Sequence, residues 1–389
     1  MTQKIKILEC IRQGKIGGGE SHLLSLIEHL DRSRFEPVVL SFTDGPMIDR
    51  LRQMNVPAEV IYTEKPFDFR VWGRVKKFLQ RHAVELVHAH GTRANSNVLW
   101  ASRSLGIPVI YTVHGWSFHQ DQHPLVRRIR VMGEKYLVSH AARNISVSSS
   151  NQRSGKDRIP SFDSIVINNG IDGRKFDPEG RYPDIRAELG IPAGATLVLF
   201  IARFTAHKQP LSLLEAFAQA LPKAPDMHLL MVGEGDQQAM ALERVAALGL
   251  GDKVHFQAFR QDVPAVLAAA DLFVLPSLWE GLPIGLLEAM AMGKAVIATR
   301  VDGTSEILQD GVNGSMIETD GLIDNLRKAL LALSKDPARR REYGRKAIET
   351  VQGKYNAARM TRQIEELYLN LAGHSGPALK MTKPAYHGI

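Results

Sequence analysis

The sequence predicts an α/β protein of two doubly wound, Rossmann-like domains facing each other across a cleft. Three observations carry this. The chain has 389 residues, too many for one ordinary core and comfortable for two domains of roughly 170–200 residues. Short, continuously apolar runs alternate with amphipathic segments, the pattern of a parallel sheet covered on both faces. The alternation then starts afresh halfway along the chain.

The first series opens with KIKILECI (4–11), an apolar run that leads into a glycine cluster. SHLLSLIEHL follows, with Leu23, Leu24, Ile27 and Leu30 at helical spacing. EPVVLSF, AEVIYT, ELVHAH, IPVIYTVH and ARNISVS continue the strand pattern. The second series is ATLVLFIAR (195–203), MHLLMVG (227–233), KVHFQAF (253–259), DLFVLP (271–276) and KAVIAT (294–299). Between the two lies INNGIDGRKFDPEG (167–180), where Asn, Gly, Asp and Pro cluster as in a linker. Asn169-Gly170 is a natural turn there and a candidate hinge. The expected domains are 1–172 and 173–355. Residues 356–372 read as a helix, with Ile364, Leu367, Tyr368 and Leu371 as its apolar stripe, and 373–389 as a loose tail.

Composition narrows the function. A lone cysteine, Cys10, excludes an intramolecular disulfide and a cysteine-rich metal site, and fits a reducing, cytoplasmic setting. The opening MTQKIKILECI has no basic leader before a long apolar run, so no cleaved signal is expected. No stretch nears the roughly 18 apolar residues of a membrane span. The net charge is +8, unevenly placed. Residues 1–170 hold 24 Lys and Arg against 15 Asp and Glu, a net +9, while the remainder is nearly balanced. Such a half suits anionic lipid, an anionic lipid-linked substrate or nucleic acid, or is simply a solvated surface.

Ligands of doubly wound sheets bind at the carboxyl ends of the strands. Gly17-Gly18-Gly19-Glu20 follows the first strand and precedes a helix, where unpaired amides and the helix dipole favour a phosphate. Its contiguous glycines do not match the dinucleotide pattern G-x-G-x-x-G. A tight turn without a ligand would look the same. His114, in TVHGW, ends the fifth strand, where it could meet a sugar hydroxyl or an acceptor. His88 and His90 end the preceding strand, on one face by the two-residue period. No third ligand stands near them in sequence, so no metal site is expected.

The second half offers more. Arg203 ends a strand and Lys208 opens the following helix; a planar fork and a mobile point charge at one strand mouth can neutralise a diphosphate. Gly233-Glu234-Gly235-Asp236 makes another strand-to-helix turn suited to a close ligand. In PSLWEGLPIGLLEAMAMGKAVIAT (276–299), Pro283 suits the first helical position. Gly285, Leu286 and Leu287 would lie in the first turn, with free amides and a positive dipole end. Glu280 before this turn and Glu288 after it bracket an anion site with two acceptors for hydroxyls.

These residues resemble the family-four retaining glycosyltransferases of the GT-B fold. The resemblance covers roughly 1–372. It rests on Glu280 and Glu288 of the Glu–seven residues–Glu motif, the Gly17–Glu20 loop, Arg203 with Lys208, the VGEGD turn, and DGTSEIL (302–308). It implies that Glu288 binds ribose hydroxyls and Glu280 the donor sugar. It implies that Arg203, Lys208, the Gly18 and Gly19 backbone and the 285–287 amides hold the diphosphate. Gly233 and Glu234 would line the nucleotide-sugar site, Phe259 and Arg260 would lie near the base, and His114 near the donor sugar and acceptor. Two departures stand out: Ala202 and Asp302 occupy positions where relatives often have glycine.

The expected reaction moves a sugar from a nucleoside-diphosphate donor, UDP-linked by resemblance, to a hydroxyl of a saccharide or lipid-linked saccharide during assembly of cell-surface polysaccharide or lipopolysaccharide. The donor is a co-substrate and no cofactor is expected. No Asp-x-Asp sits at a suitable strand end, so Arg203 and Lys208 would replace a metal. No residue is assigned as a covalent nucleophile, which favours same-face substitution. A GT-B nucleotide-sugar epimerase is one alternative, and a non-catalytic nucleotide-sugar-binding or scaffold protein is another. Two basic amphipathic stretches, FRVWGRVKKFLQRH (69–82) and HPLVRRIRVMGEKYL (123–137), could lie on an anionic membrane from the cytoplasmic side, or could be ordinary sheet-covering helices. No nucleic-acid partner is expected.

Overall fold

The computed structural model describes residues 4–15, 17–118 and 122–373. The expected tail at 373–389 lies outside these apart from Gly373. The strands are β1 (Ile5–Ile11), β2 (Phe35–Ser41), β3 (Ala58–Val60), β4 (Leu86–His90), β5 (Val109–Val113), β6 (Arg143–Ser146), β7 (Ile165–Val166), β8 (Thr196–Ile201), β9 (Met227–Val232), β10 (Val254–Gln257), β11 (Leu272–Leu275), β12 (Ala295–Thr299) and β13 (Ser315–Ile317). Among the described residues they form two sheets, ordered β3-β2-β1-β4-β5-β6-β7 and β10-β9-β8-β11-β12-β13. Every neighbouring pair is parallel.

Parallel neighbours need crossovers, and the crossovers cover both faces of each sheet. That is why the strands are apolar without alternation: Ile7, Leu8, Leu40, Val87 and Ile110 are all fully buried, as are Leu197, Val198, Leu199 and Phe200. In each sheet the strand order reverses at the centre, between β1 and β4 and between β8 and β11. Loops diverge there and leave a crevice. The segment after β1 holds Arg12 and the glycine cluster, and the segment after β8 holds Arg203.

The chain passes between the two sheets twice, side by side. The Ile171 N–H donates to the Tyr355 carbonyl, and Ile171 bridges to Asn356. Gly170 is required at this crossing, because a Cβ would stand 2.6 Å from backbone atoms of Ala357. Asn356 then caps the helix Ala357–Leu371 by accepting the Arg359 N–H. That helix lies on the first sheet, where Met360, Ile364, Leu367 and Tyr368 share a core with Ile5, Ile7, Phe35 and Leu86.

The first helix, Gly18–His29, begins inside the glycine cluster and not after it. Gly17 is its N-cap, and its first internal bond runs from the Ser21 N–H to the Gly17 carbonyl. Gly18 and Gly19 therefore sit in the first turn, with amides that have no intrahelical acceptor.

Candidate functional site

Two helix starts approach each other across the cleft, Gly18–His29 from the first domain and Ile284–Ala291 from the second. Space is open at Gly18, where a Cβ would meet nothing within 4 Å. At Gly19 it would stand 3.6 Å from the His114 ring. The second helix differs from expectation by one residue. Pro283 is the N-cap, with extended ψ of 111°, and Ile284 is the first helical residue. The Leu287 N–H is then already donated to the Pro283 carbonyl. The expected part of Leu287 in binding an anion is therefore corrected. The amides of Gly285 and Leu286 remain without an intrahelical acceptor.

Positive side chains gather at the same place. Arg203 follows β8 and opens onto the cleft. Desolvation by the cleft walls, then the charge of Arg12, hold it below the usual arginine range, while Glu20, Glu280 and Asp236 pull the other way. Two guanidinium groups thus face one space, and Arg12 was not singled out from sequence. Lys208 does not open the next helix. It ends a single 3-10 turn (Ala206–Lys208), ahead of Gln209 at a left-handed φ of 56° and the helix Pro210–Ala220. Its ammonium is paired with the Glu280 carboxylate. Lys208 and Glu280 are therefore one unit, which a diphosphate and a sugar would have to share.

The VGEGD turn positions Arg203. Gly233 has φ of 137°, and a Cβ there would lie 2.1 Å from the Ala202 carbonyl oxygen. A Cβ on Gly235 would lie 2.3 Å from the Phe204 carbonyl oxygen. The Phe204 N–H donates to the Glu234 carbonyl, and the Gln237 N–H to the Phe204 carbonyl. The close approach expected of a ligand at these glycines is made by the neighbouring loop, which clamps the backbone on both sides of Arg203. Glu234 serves this clamp through its main chain.

Glu288 is half-buried, and its carboxylate makes no hydrogen bond or ion pair among the described residues. Burial pushes it up to about 7, against the pull of Lys175. A desolvated acceptor without donors is a costly group to keep, and ligand hydroxyls would relieve it. Phe259 is exposed at the rim. Arg260 is not free to meet a base with its guanidinium, which forms ion pairs with Glu188 and Asp262. Its expected contact is corrected to that extent. The partner Glu188 lies 72 residues away, beyond the reach of spacing arguments.

The histidines form a cluster. The rings of His22, His90 and His114 form a triangle, with centroid distances of 4.8, 5.3 and 5.4 Å. His114 Nε2 is 3.1 Å from His90 Nδ1, and His90 Nε2 is 2.8 Å from Glu9 Oε2. Tyr368 donates its O–H to Glu9 Oε1 at 2.7 Å and is 2.6 Å from His88 Nδ1. Burial, then neighbouring histidines, hold His22 down at about 3 and His88 and His114 well below the usual range. The expectation that His88 and His90 lack a third ligand is corrected. Glu9 with His88 and His90, and His22 with His90 and His114, each bring three possible ligand atoms within 4.8 Å of one another.

Polar contacts join the domains around this cluster. Asn169, at the crossing, accepts from His22 Nδ1–H at 2.9 Å through Oδ1, and donates to the Leu282 carbonyl through Nδ2. Ser148 Oγ donates to the Gly281 carbonyl. The Glu306 carboxylate accepts the N–H groups of Ser149 and Ser150, the first turn of the helix Ser149–Arg158. Gly303 packs so closely that a Cβ would lie 1.9 Å from the Gly281 carbonyl oxygen. Asp302 accepts the Glu280 N–H, and desolvation raises its carboxyl. The departure at Asp302 thus places a second carboxyl group beside Glu280.

The two basic amphipathic stretches behave differently. The helix Phe69–Arg81 spends Val71, Val75, Phe78 and Leu79 on the core. The helix Pro124–His140 leaves Leu125, Ile129, Met132 and Tyr136 exposed, at helical spacing on one face, with Arg128, Arg130 and Lys135 exposed nearby. Among the described residues no helix is long and apolar enough to cross a membrane.

Comparison with known proteins gives concordant matches. The profile of the Glycosyl transferases group 1 matches residues 182–350, and that of Glycosyltransferase Family 4 matches residues 16–174. The chain is 31% identical over 296 residues to a D-inositol 3-phosphate glycosyltransferase of Arthrobacter sp. (strain FB24), covering 72% of this chain and 69% of that one. It is 25% identical over 379 residues to the UDP-Gal:alpha-D-GlcNAc-diphosphoundecaprenol alpha-1,3-galactosyltransferase of Escherichia coli, covering 95% and 97%. Among solved structures, Anabaena HepE in complex with UDP and glucose superposes with a TM-score of 0.82 at 25% identity, over 94% of this chain and 100% of that one.

Proposed function

Because this chain belongs to the family-four group 1 glycosyltransferases, of GT-B fold, we propose that it transfers a sugar from a UDP-linked donor to a hydroxyl of a saccharide or lipid-linked saccharide, with retention and without a metal, in the assembly of cell-surface polysaccharide or lipopolysaccharide. The single observation that carries the reading is the convergence of opposed helix starts, Gly18–Gly19 and Gly285–Leu286, with Arg12, Arg203 and Lys208. Two dipole ends and three cations in one crevice suit a diphosphate. Glu288 stands ready for ribose hydroxyls and Glu280 for the sugar. Both relatives named above are transferases, which leaves the epimerase alternative without support, and the intact set of charged residues argues against a mere scaffold.

The chemistry follows from charge. As the bond from sugar to diphosphate breaks, negative charge grows on the leaving oxygens. Arg203, Lys208 and the helix amides are already aimed at that charge and need no reorganisation. Lys208 releases part of its hold on Glu280 as phosphate enters, which frees the carboxylate for sugar hydroxyls. A covalent route needs an unpaired carboxylate behind the anomeric carbon. No residue of the site is assigned that place, so same-face substitution with an ion-pair-like transition state fits better. The cluster's histidine nitrogens are largely committed to one another and to Glu9, which supports a reading of transfer without a metal.

The acceptor reading rests on the first domain. Burial, then the field of Arg12, lowers Arg93, so the two guanidinium groups of the first domain stand near each other. The apolar face and basic flank of Pro124–His140 suit an anionic bilayer surface. Arg203→Ala tests the core of the proposal. Turnover should fall about 100-fold or more, while the Kd for UDP changes less than tenfold. Near-normal turnover in Arg203→Ala with sugar transfer intact would refute it.

A further inference from the structure

The buried chain from Tyr368 to His114 goes beyond donor binding, although it rests on the reading of the cleft as a nucleotide-sugar site. We propose that Glu9, His90 and Tyr368 act as positioning residues that hold His114 in the Nε2–H tautomer, so that its Nδ1 meets one hydroxyl of the donor sugar as an acceptor.

The chain of hydrogen bonds begins at Glu9. Its carboxylate can only accept hydrogen bonds. The Tyr368 O–H supplies one oxygen and His90 Nε2–H the other. With its proton spent on Glu9, Tyr368 accepts from His88 Nδ1–H, and His88 Nε2 accepts the Thr112 hydroxyl at 2.7 Å. With the His90 proton on Nε2, directed at Glu9, its Nδ1 faces His114 as a lone pair. His114 must then donate Nε2–H across the 3.1 Å contact. Its other nitrogen, Nδ1, is left as a lone pair. His114 is itself clasped at the cleft, between Gly19 and the Gly281 backbone. A histidine with the opposite tautomer would present a donor and prefer a different hydroxyl geometry.

The chain also explains why the helix Ala357–Leu371 returns to the first sheet with a tyrosine at its buried face. Tyr368 is fully buried, yet its hydroxyl is placed to satisfy Glu9 and His88 together. His22, whose Nε2 has no partner, His90 and His114 could instead ligate a divalent metal. That arrangement would use the His114 Nε2 lone pair and so demand the opposite tautomer, Nδ1–H.

The experiment is 15N-histidine NMR on the full chain, reading the tautomer of His114 by two-bond correlations, with His114→Gln for assignment. The expected result is Nε2–H with unprotonated Nδ1 in the wild type. Glu9→Gln and Tyr368→Phe should shift His114 towards the other tautomer. They should weaken binding of UDP-glucose or UDP-galactose about tenfold relative to UDP, the worth of one hydrogen bond, while the Kd for UDP itself stays within twofold. Nδ1–H in the wild type overturns the proposal. So does stoichiometric Zn²⁺ binding that abolishes the Nε2–H signal. Unchanged tautomer and sugar preference in both variants do the same. If UDP fails to bind at all, the donor reading fails, and the tautomer is still read.

Discussion

Glu288→Gln should make the ligand-free protein more stable at alkaline pH while weakening its grip on the donor. The carboxyl group is raised from 4.5 to about 7 by burial. Below pH 4.5 the folded and unfolded states both hold the proton, and the residue contributes no pH-dependent term. Between pH 4.5 and 7 the folded state keeps a proton that the unfolded state has lost. Stability therefore falls as pH rises through this window, and the full cost is present above pH 7. At roughly 1.4 kcal/mol per pH unit, the ceiling is about 3 kcal/mol, reduced by solvent at a half-buried cleft residue. A glutamine carries no such charge. For a unit of this size, 1 kcal/mol moves Tm by about 2–4 °C, so the variant should gain up to about 6–12 °C at pH 8 and little at pH 4.5.

Calorimetric unfolding at pH 4.5 and pH 8 reads this directly. The donor provides the counterpart. Ribose hydroxyls stabilise the carboxylate, so UDP binding to the wild type near pH 6 should release up to one proton. Titration in buffers of different ionisation enthalpy would measure it. Glu288→Gln should bind more weakly and release none at this site. Equal gains at both pH values would show that charge is not the cause, and no gain at pH 8 would refute the reasoning outright.

Three further outcomes follow from the geometry. Gly233→Ala should destabilise by more than about 2 kcal/mol, since both its φ and the Ala202 carbonyl oppose a Cβ, and should cut turnover by displacing Arg203. Gly194→Ala, with no neighbour within 4 Å, is the control, and chemical denaturation with a transfer assay compares them; equal stabilities would contradict the clamp. Glu306→Ala removes the acceptor for two amides across the domains and should raise the donor KM about tenfold, as for loss of a charged hydrogen bond; small-angle scattering with UDP present should show a more open particle, and an unchanged profile counts against this contact as a closing latch. Ile129→Asp with Met132→Asp should abolish flotation with anionic liposomes while leaving transfer to a soluble acceptor intact, and undiminished flotation removes this helix from the membrane reading.

Much of the fold was legible because burial on both faces leaves a local trace. An all-apolar run such as TLVLFI can only be a covered strand or a buried helix, and its length and flanking turns favour the strand. The donor-side anion site was legible for a similar reason. Helix starts, glycines and basic residues at strand ends are set by short stretches of sequence. What escaped were interactions between distant segments. At Leu287 a difference of one residue in the helix start decides which amides are free. The pairing of Arg260 with Glu188 joins two segments that spacing cannot relate.

Glu9 shows why the remainder was hidden. Nothing in KIKILECI marks it as more than an acid in an apolar run. Its meaning comes from register: β1 pairs with β4 so that Glu9 stands opposite His88 and Ile11 opposite His90. The two-residue period puts both histidines on one face, and that face meets Tyr368 from 359 residues away. A buried carboxylate without such partners would cost several kcal/mol or take up a proton. Its presence at the centre of a sheet therefore demands a set of donors, and the strand ends and the returning helix supply them. Read in that direction, an acid in a fully buried strand is itself a prediction that polar groups from elsewhere converge on it, and here they converge beside the ring that lines the cleft.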